Sequence, residues 1–334
     1  MARPTLQDVA DKVGVSAKTV SNVVNGTGWV KDDLKQRVRE ALVEVGYRPN
    51  AAARQLRSGR SGMIALAVPE LSQPYFAELA SELVRAAQER SITVLVSQTD
   101  GLAEAERQMS DGIGVPVVDG LIMSPLALSA RELSHRLDTT PLVLLGEHIG
   151  ESVFPRVTVD NAVAAEAATS HLLGLSRRRI AAIGAQDHSP NETAVLRLTG
   201  YKRALEAAGV EFDDSLIGTV EEFHRPDGAR AVERMLDSGI EFDAIFAFND
   251  LLAFGAIRAL ADRGISVPGQ VAVIGFDDIE EGRYSTPTLS TVSPDKRAIA
   301  RAAISLLLDG DQHDAPPVGF SVIGRGSTDE ESSK

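Results

Sequence analysis

The chain has 334 residues, of which 43% are hydrophobic and 24% charged, values that suit a globular protein of two or three domains. It contains no cysteine, no signal-peptide pattern and no apolar run long enough for a bilayer, which excludes disulfide and thiolate chemistry and leads us to expect a cytoplasmic protein. The net charge of -13 hides an asymmetry, because residues 1–60 carry 11 basic and 6 acidic side chains whereas residues 61–334 carry 23 and 41. A basic head on an acidic body is typical of a protein whose head alone contacts phosphate.

The head is predicted to begin with two short helices joined by a tight turn. Apolar residues at 6, 9, 10 and 13 recur at helical spacing. Thr5 is placed to cap the first helix, with Asp8 at the reciprocal position, and Gly14 suits a left-handed end. Ser16 is placed to cap the second helix. This arrangement displays the second helix, which would fit the major groove of DNA.

The outward face of the second helix carries short or polar side chains. Lys18 suits guanine O6 and N7, and Asn22 suits adenine. Ser16, Thr19 and Ser21 are better suited to phosphate contacts that position the helix without reading sequence. A small three-helix packing module without a DNA role is the alternative.

A third helix is predicted at about 31–45, followed by a chain break at Tyr47-Arg48-Pro49 and a short segment capped by Asn50. That segment spans about two turns, and so short a helix is marginal in water. We expect it to form when two copies meet on DNA, with Leu56 wedged into the minor groove and Arg54 and Arg57 on phosphates. A plain interdomain linker is the alternative. The predicted DNA contacts are Thr5, Ser16, Ala17, Lys18, Thr19, Ser21, Asn22, Asn25, Tyr47, Asn50, Ala53, Arg54, Leu56 and Arg57.

From residue 61 onward, short apolar runs alternate with amphipathic ones. Strands are predicted at 63–68, 92–96, 120–123, 142–145, 157–159, 180–183, 244–248 and 271–276. Helices are predicted at about 75–90, 102–110, 130–137, 161–173, 193–208, 226–238, 250–263 and 295–308. Such alternation indicates two doubly wound parallel-sheet α/β subdomains, with a break near residue 160.

Ligands of such sheets bind beyond the carboxyl ends of the strands. The residues that follow the predicted strands, together with an arginine, include carboxylates, amides and aromatic rings, which suit a polyhydroxylated or heterocyclic molecule. A helix N-cap is the alternative for each acidic pair. The predicted effector contacts are Ser72, Tyr75, Phe76, Glu147, Asp160, Arg197, Phe223, Asn249, Asp250 and Asp277.

The head resembles that of the LacI/GalR (lactose/galactose repressor) family of bacterial transcription factors. The resemblance rests on the runs Leu6-x-Asp8-Val9-Ala10, Gly14-Val15-Ser16-x-x-Thr19-Val20-Ser21, Gly46-Tyr47-Arg48-Pro49-Asn50 and Ala53-Arg54-x-Leu56-Arg57. Lys31 departs from it, since the family often places a Ser or Thr cap there, and Gly28-Trp29 precede it.

The resemblance implies a body like the periplasmic sugar-binding proteins, with two lobes and a cleft between them. It implies that Arg197 and Asp277 grip the effector, that Asn249-Asp250 adjoin it and that Phe223 forms an aromatic lid. Gly146-Glu147 replace a family aspartate. The implied domains are a DNA-binding head at 1–49, a hinge at 50–60 and an effector-binding and dimerisation domain at 61–334. Its first lobe would comprise about 61–160 and 291–318, and its second about 161–290 and 319–330.

We therefore expect a homodimeric, sequence-specific regulator, most simply a repressor, of a pseudo-palindromic double-stranded DNA operator. Its operator affinity would be controlled by a small-molecule effector, a sugar or a sugar derivative. The polar end of the sequence lacks a leucine-heptad tail, which favours a dimer over a tetramer. No nucleotide-loop, zinc-ligand or nucleophile-elbow motif is present, so we expect no catalysis, no cofactor and no metal. The alternative is a free-standing small-molecule carrier or sugar-active enzyme with an incidental helical module.

Overall fold

The computed structural model describes residues 4–47, 59–147, 153–187, 192–310 and 316–329. The chain divides into two compact units, Met1–Ser61 and Gly62–Lys334, called here the head and the body. Among the described residues, no helix combines the length and the apolar character needed to cross a bilayer.

The head is built from three helices, namely α1 (Leu6–Val13), α2 (Ala17–Asn25) and α3 (Asp32–Val45). The predicted capping box is confirmed, because the Thr5 hydroxyl accepts from the Asp8 amide and the Asp8 carboxylate accepts from the Thr5 amide at 2.7 Å. Ser16 caps α2 by accepting from the Thr19 amide at 3.1 Å. Valine and alanine side chains from all three helices form one buried core, listed as Val9, Ala10, Val13, Val20, Val38 and Ala41.

The start of α3 lacks a side-chain cap, because Lys31 occupies the N-cap position and makes no capping hydrogen bond. This is the departure that the sequence indicated. The acidic residues Asp32 and Asp33 in the first turn compensate in part, since negative charge is favourable at a helix N-terminus.

The first lobe of the body is a parallel five-stranded sheet with the order β2-β1-β3-β4-β5. Buried apolar clusters cover both of its faces. Its elements are β1 (Met63–Val68), α4 (Pro74–Glu89), β2 (Thr93–Gln98), α5 (Ala103–Ser110), β3 (Leu121–Met123), α6 (Ala130–Ser134), β4 (Leu142–Leu145) and β5 (Arg156–Val157).

The second lobe has a six-stranded sheet with the order β11-β10-β9-β8-β6-β7, parallel except for β11. A single large cluster of buried apolar side chains packs around it. Its elements are α7 (Asn161–Gly174), β6 (Ile180–Ala185), α8 (Glu192–Ala207), β7 (Ile217–Thr219), α9 (Arg225–Asp237), β8 (Ala244–Ala247), α10 (Asp250–Asp262), β9 (Ala272–Phe276), β10 (Ser290–Pro294) and β11 (Phe320–Ile323).

The chain crosses between the lobes three times. It passes from β5 to α7, then from β10 into α11 (Lys296–Asp309), which packs in the core of the first lobe, and finally back to β11. The predicted lobe boundary at 291 is therefore wrong, because β10 pairs with β9 in the second sheet. Its sequence, Ser-Thr-Val-Ser-Pro, is too polar to be recognised as a buried strand. The strands β7 and β11 were likewise not predicted, since they are short and lie at the sheet edges.

Candidate functional sites in the body and the head

A cavity of about 340 Å³ lies between the two lobes of the body. Its walls come from the loops that follow β1, β2, β3 and β4 in the first lobe and β6, β8 and β9 in the second. Parallel strands bring their carboxyl ends to one edge of a sheet, so both lobes present loops of the same kind to the cavity. The location agrees with the sequence-based expectation for a ligand site.

Arg197, on α8, is 7% exposed and lines the cavity from the second lobe. Its Nε donates to the Asn161 side chain at 2.7 Å, and its Nη1 donates to the Phe248 carbonyl. The guanidinium stacks over the Phe276 ring, 3.6 Å from its centroid. Burial lowers the pKa of this guanidinium from its usual value, while the nearby carboxylates of Asp277 and Glu147 oppose that shift. These contacts hold the charge at the cavity wall in one orientation.

Asp277, directly after β9, places its carboxylate at the same wall. Its backbone has φ = 117°, a conformation that non-glycine residues rarely adopt, and its amide donates to the Val292 carbonyl at 2.8 Å. The side chain is 9% exposed and accepts no hydrogen bond from the described residues. Burial raises its pKa to about 6, although Arg197 and Lys296 pull in the opposite direction. A buried acceptor beside a fixed cation is therefore available to a ligand.

The strained turn at Asp277 is held by hydrogen bonds to the buried carboxylate of Asp250. The Asp250 carboxylate is fully buried, and it accepts from the Thr291 hydroxyl at 2.6 Å and from the Ile279 amide at 2.9 Å. Gly275 makes room for it, since a Cβ at that position would lie 2.2 Å from the Asp250 Oδ1. Burial, reinforced by the charge of Asp277, raises the pKa of Asp250 well above its usual value. Asp250 thus positions the loop and does not itself reach the cavity.

Glu147 and Tyr75 close the cavity from the first lobe. Glu147 accepts from the Val159 amide at 2.8 Å, and burial raises the pKa of its carboxyl despite that bond and the charge of Arg197. Burial also raises the pKa of the Tyr75 phenol, and the charges of Asp277 and Glu147 add to the effect. The Tyr75 and Phe76 rings meet edge to face, with their centroids 5.3 Å apart. Apolar rings and acceptors therefore share this wall.

The structure brings most of the predicted effector residues together. The residues that line the cavity are Tyr75, Phe76, Glu147, Arg197, Phe223, Asn249 and Asp277. Three predicted residues do not line it. Asp250 lies beneath the floor, Ser72 hydrogen-bonds Glu70 on the exposed loop after β1, and the exposed Asp160 caps α7 by accepting from the Val163 amide at 3.0 Å. For Asp160 the N-cap alternative is the correct interpretation.

Several polar residues that line the cavity are not among the predicted effector contacts. Asn161 lines it next to the misassigned Asp160, while Asp100 follows β2, Ser124 follows β3 and Gln186 follows β6. All except Asn161 directly follow strands after which no effector contact was predicted. Applying the same rule to every strand would have identified them.

The described lining of the cavity is strongly acidic. It includes five carboxyl side chains and a single basic side chain, listed as Asp100, Glu147, Glu192, Glu222 and Asp277 against Arg197. Within the described ranges, no cluster of His, Asp and Glu side chains is arranged to hold a metal ion. Such a lining disfavours an anionic ligand, because the carboxylates would repel it.

Two sets of contacts join the lobes beside the cavity. His224, before α9, lies 2.9 Å from a Glu70 carboxylate oxygen and 3.3 Å from the Gln73 amide nitrogen. Near the crossing into α11, the Lys296 ammonium pairs with Glu78 of the first lobe at 2.5 Å and donates across to the Asp278 carbonyl of the second lobe at 3.0 Å. A change in the spacing of the lobes would have to alter these contacts.

In the head, the predicted DNA contacts cluster around α2. Ser16 and Lys18 are exposed, Ala17, Thr19, Ser21 and Asn22 are partly exposed, and the exposed Asn25 donates back to the Ser21 carbonyl at 2.7 Å. Thr5 is exposed before α1, and Tyr47 is partly buried after α3. The predicted hinge contacts Asn50, Ala53, Arg54, Leu56 and Arg57 lie outside the described residues.

Two family models match the chain. Residues 5–50 match the model described as bacterial regulatory proteins, lacI family, and residues 169–328 match that of a periplasmic binding protein-like domain. The HTH-type transcriptional regulator AscG of Escherichia coli (strain K12) is 34% identical over 324 residues, which cover 95% of each chain.

Solved structures give a consistent result. A putative transcriptional regulator of the LacI family from Sanguibacter keddieii DSM 10542 is 45% identical, with a TM-score of 0.74 over 81% of this chain and 99% of its own. The structure of the transcriptional regulator CelR–cellobiose complex is 28% identical, with a TM-score of 0.70 over 97% of this chain and 100% of its own. These relatives are described as transcription regulators and not as enzymes.

Proposed function

Because the chain belongs to the LacI family of bacterial regulatory proteins, we propose that a neutral carbohydrate bound in the cavity between the lobes controls its affinity for operator DNA. The protein is a ligand-responsive, DNA-binding transcription regulator.

The observation that carries the proposal is the pairing of Asp277 and Arg197 at one wall of the cavity. A sugar hydroxyl both donates and accepts hydrogen bonds, so it can donate to the Asp277 carboxylate and accept from the guanidinium beside it. The rings of Tyr75, Phe76 and Phe223 offer apolar surface to the C–H face of a sugar ring. This combination of fixed polar groups and aromatic surface suits a polyhydroxylated ligand.

The acidic lining argues against negatively charged sugars. A phosphorylated or carboxylated sugar would place its negative charge among several carboxylates and, within the described lining, one guanidinium. CelR is similar to this chain over nearly its whole length, and its solved structure is a complex with cellobiose. This relative supports a neutral carbohydrate as the effector.

Control of DNA binding would follow from contacts with both lobes. A ligand that binds one spacing of the lobes more tightly than another shifts the population toward that spacing. The contacts from His224 to Glu70 and from Lys296 to the Asp278 carbonyl would then rearrange. Since β1 begins directly after the hinge segment 50–60, we infer that two such segments of a homodimer are aligned or separated by that shift. The simplest outcome is a repressor whose operator affinity changes when the sugar binds.

The same geometry argues against catalysis. Asp277 faces the cavity, whereas its neighbour Asp278 turns away to Arg325 at 2.6 Å. Two carboxylates that diverge in this way do not flank one substrate as an acid and base pair. We therefore propose that the cavity binds its ligand without chemical change.

A thermal-shift screen tests the effector class. Neutral mono- and disaccharides and their phosphorylated counterparts would be added to the full chain, and a sugar at 100 times its Kd is expected to stabilise it by about 2.7 kcal/mol. Arg197→Ala should abolish that shift, whereas Arg258→Ala, at an exposed site on α10, should preserve it. Stabilisation by phosphorylated sugars alone would overturn the assignment to neutral sugars.

A second experiment tests the link to DNA. Duplexes that the protein selects from a random library would supply an operator probe, and binding would be followed by fluorescence anisotropy with and without the stabilising sugar. The proposal expects the sugar to change the affinity for this probe by about 5- to 150-fold, the usual range of coupling between two sites. An unchanged affinity at saturating sugar would contradict it.

A further inference from the structure

The cavity between the lobes is elongated along the facing edges of the two sheets. Its lining includes residues at or beyond the carboxyl ends of all five strands of the first sheet and of five adjacent strands of the second, β10-β9-β8-β6-β7. In the second lobe, Asp277 follows β9 and Glu222 lies beyond β7, three strand intervals away. Neighbouring strands lie about 4.8 Å apart, so three intervals amount to about 14 Å. A single pyranose ring with its hydroxyls spans little more than one interval, whereas two linked rings span between two and three.

The inner part of the cavity, next to the chain crossings, offers enough polar groups for one sugar ring. The Asp277 carboxylate and the Arg197 guanidinium lie there, and the hydroxyl of Tyr75 makes no hydrogen bond with the described residues. Burial raises the pKa of the Tyr75 phenol, and the charges of Asp277, Glu147 and Arg197 act on it as well, because these groups lie close together. One ring can therefore satisfy all of the inner groups.

The first lobe supplies a fixed wall to the outer part of the cavity, where the loops after β2 and β3 meet. Ser124 is 9% exposed, and its hydroxyl makes no hydrogen bond with the described residues. Leu126 is 39% exposed and packs against Gly101, where a Cβ would lie 3.4 Å from the Leu126 side chain. The Leu126 amide donates to the buried Glu106 carboxylate at 2.7 Å. This wall therefore presents a hydroxyl and an apolar surface in a fixed loop.

The second lobe supplies an acceptor and an aromatic ring to the same outer part. The exposed Glu222 carboxylate makes no hydrogen bond or ion pair with the described residues, and the partly buried Phe223 follows it. The Gln186 side chain also lines the cavity, and its amide donates to the Glu221 carbonyl at 2.8 Å, which ties the loops after β6 and β7 together. The outer part thus repeats the combination of polar groups and apolar surface found in the inner part.

We propose that the effector is a disaccharide, with one ring at Asp277 and Arg197 and the second ring held by Ser124 and Glu222. Hydroxyls of the second ring donate to the Glu222 carboxylate and bond the Ser124 hydroxyl, while its C–H groups pack against Leu126 and Phe223. An aromatic group in place of the second ring would leave the shielded Ser124 hydroxyl without a partner. The inference rests on the proposed function, since it requires a carbohydrate in the cavity.

Isothermal titration of the full chain tests the size of the effector. The probes are maltose, cellobiose, lactose, trehalose and sucrose, together with glucose, galactose, fructose and phenyl β-glucoside. One disaccharide is expected to bind at least about tenfold more tightly than either of its component monosaccharides, because the second ring adds a hydrogen bond to a charged acceptor. A monosaccharide or the phenyl glucoside that bound as tightly as the best disaccharide would overturn the inference. Binding of none of these probes would instead count against the proposed function.

Variants of the outer part separate the contributions of the two rings. Glu222→Gln and Ser124→Ala should each weaken disaccharide binding about tenfold and leave the affinity for the component monosaccharide unchanged. Arg197→Ala should abolish the binding of both. Glu211→Gln is the matched control, because Glu211 is an exposed carboxylate of the second lobe that does not line the cavity, and it should change neither affinity. Equal losses for the two kinds of sugar, or normal disaccharide binding by both outer variants, would refute the placement of the second ring.

Discussion

Replacing Asp277 by asparagine should make the protein more stable while it weakens effector binding. The carboxylate is buried at a backbone angle of φ = 117°, and no described residue donates a hydrogen bond to it. Asparagine keeps nearly the same shape and tolerates that backbone better than most residues, but it carries no charge. The substitution therefore removes the cost of ionising a buried acid.

The magnitude follows from the pKa of Asp277, which burial raises from 3.8 to about 6. That difference corresponds to about 3 kcal/mol. Because the pKa of Asp277 is higher in the folded than in the unfolded protein, this group favours folding fully below pH 3.8, and that contribution is lost as the pH rises through 6. Asp277→Asn should thus be more stable than the wild type by about 3 kcal/mol at pH 8 and by about 1.5 kcal/mol at pH 5.

Chemical denaturation of the effector-free protein, followed by far-ultraviolet circular dichroism, would measure this difference between pH 5 and 8. Tryptophan emission is unsuitable for the body, since Trp29 lies in the head. In a parallel thermal-shift titration, the sugar affinity of Asp277→Asn should fall about tenfold or more, as expected for loss of hydrogen bonds to a charged acceptor.

The neighbouring Asp278 provides the matched control. Burial alone would raise its pKa, but the bonds from Arg325 and Ser293 outweigh burial and hold the pKa below its usual value. Its stabilising contribution is therefore present above pH 3.8 and is lost at lower pH. Asp278→Asn should destabilise the protein at pH 8 by about 3 kcal/mol, because it leaves Arg325 without its partner. If Asp277→Asn were also less stable than the wild type at pH 8, the reasoning about its buried charge would be refuted.

Two further substitutions test the support of the cavity. Gly275→Ala should lower the free energy of unfolding by about 2 kcal/mol or more, because the added Cβ would collide with Asp250. Gly174→Ala is the control, because its Cβ would meet nothing within 4 Å. It should be neutral or slightly stabilising in the same denaturation assay. Glu106→Gln should lower the free energy of unfolding by about 2–3 kcal/mol, because the buried Glu106 carboxylate accepts hydrogen bonds from the backbone amides of residues 126–128. It should also weaken sugar binding, since those residues belong to a loop that lines the cavity. Equal stability of the two glycine variants, or a Glu106→Gln protein with normal melting and sugar affinity, would contradict these assignments.

The sequence predicted the order of elements well because most strands are continuous apolar runs bounded by amphipathic helices. The sheet that contains β6, β8 and β9 is an example, since each of these strands is buried along its length. The edge strands β7 and β11 escaped prediction because exposed edges need neither length nor an unbroken apolar run. The polar strand β10 is held by hydrogen bonds and by contacts with the C-terminal segment, which a local pattern does not reveal.

The position of the cavity could be predicted from the rule that ligands bind after parallel strands, but the orientation of individual side chains could not. Asp160 and Asn161 differ by one position, yet the first turns back to cap α7 and the second faces Arg197. Asp250 follows β8 as expected, but Gly275 leaves space for it beneath the floor. Which of two adjacent polar residues faces a ligand depends on contacts between elements far apart in the chain.

The late return of α11 to the first lobe has a consequence for the nascent protein. Ile299, Ala303, Ile304 and Leu307 complete a core whose other members are made more than a hundred residues earlier, so the first lobe remains unfinished on the ribosome until nearly the whole second lobe has been translated. A prematurely terminated chain would therefore carry an intact head on an incompletely packed body. Quality-control proteases would meet exposed apolar surface there, and a fragment that occupies operators without responding to metabolites would be removed.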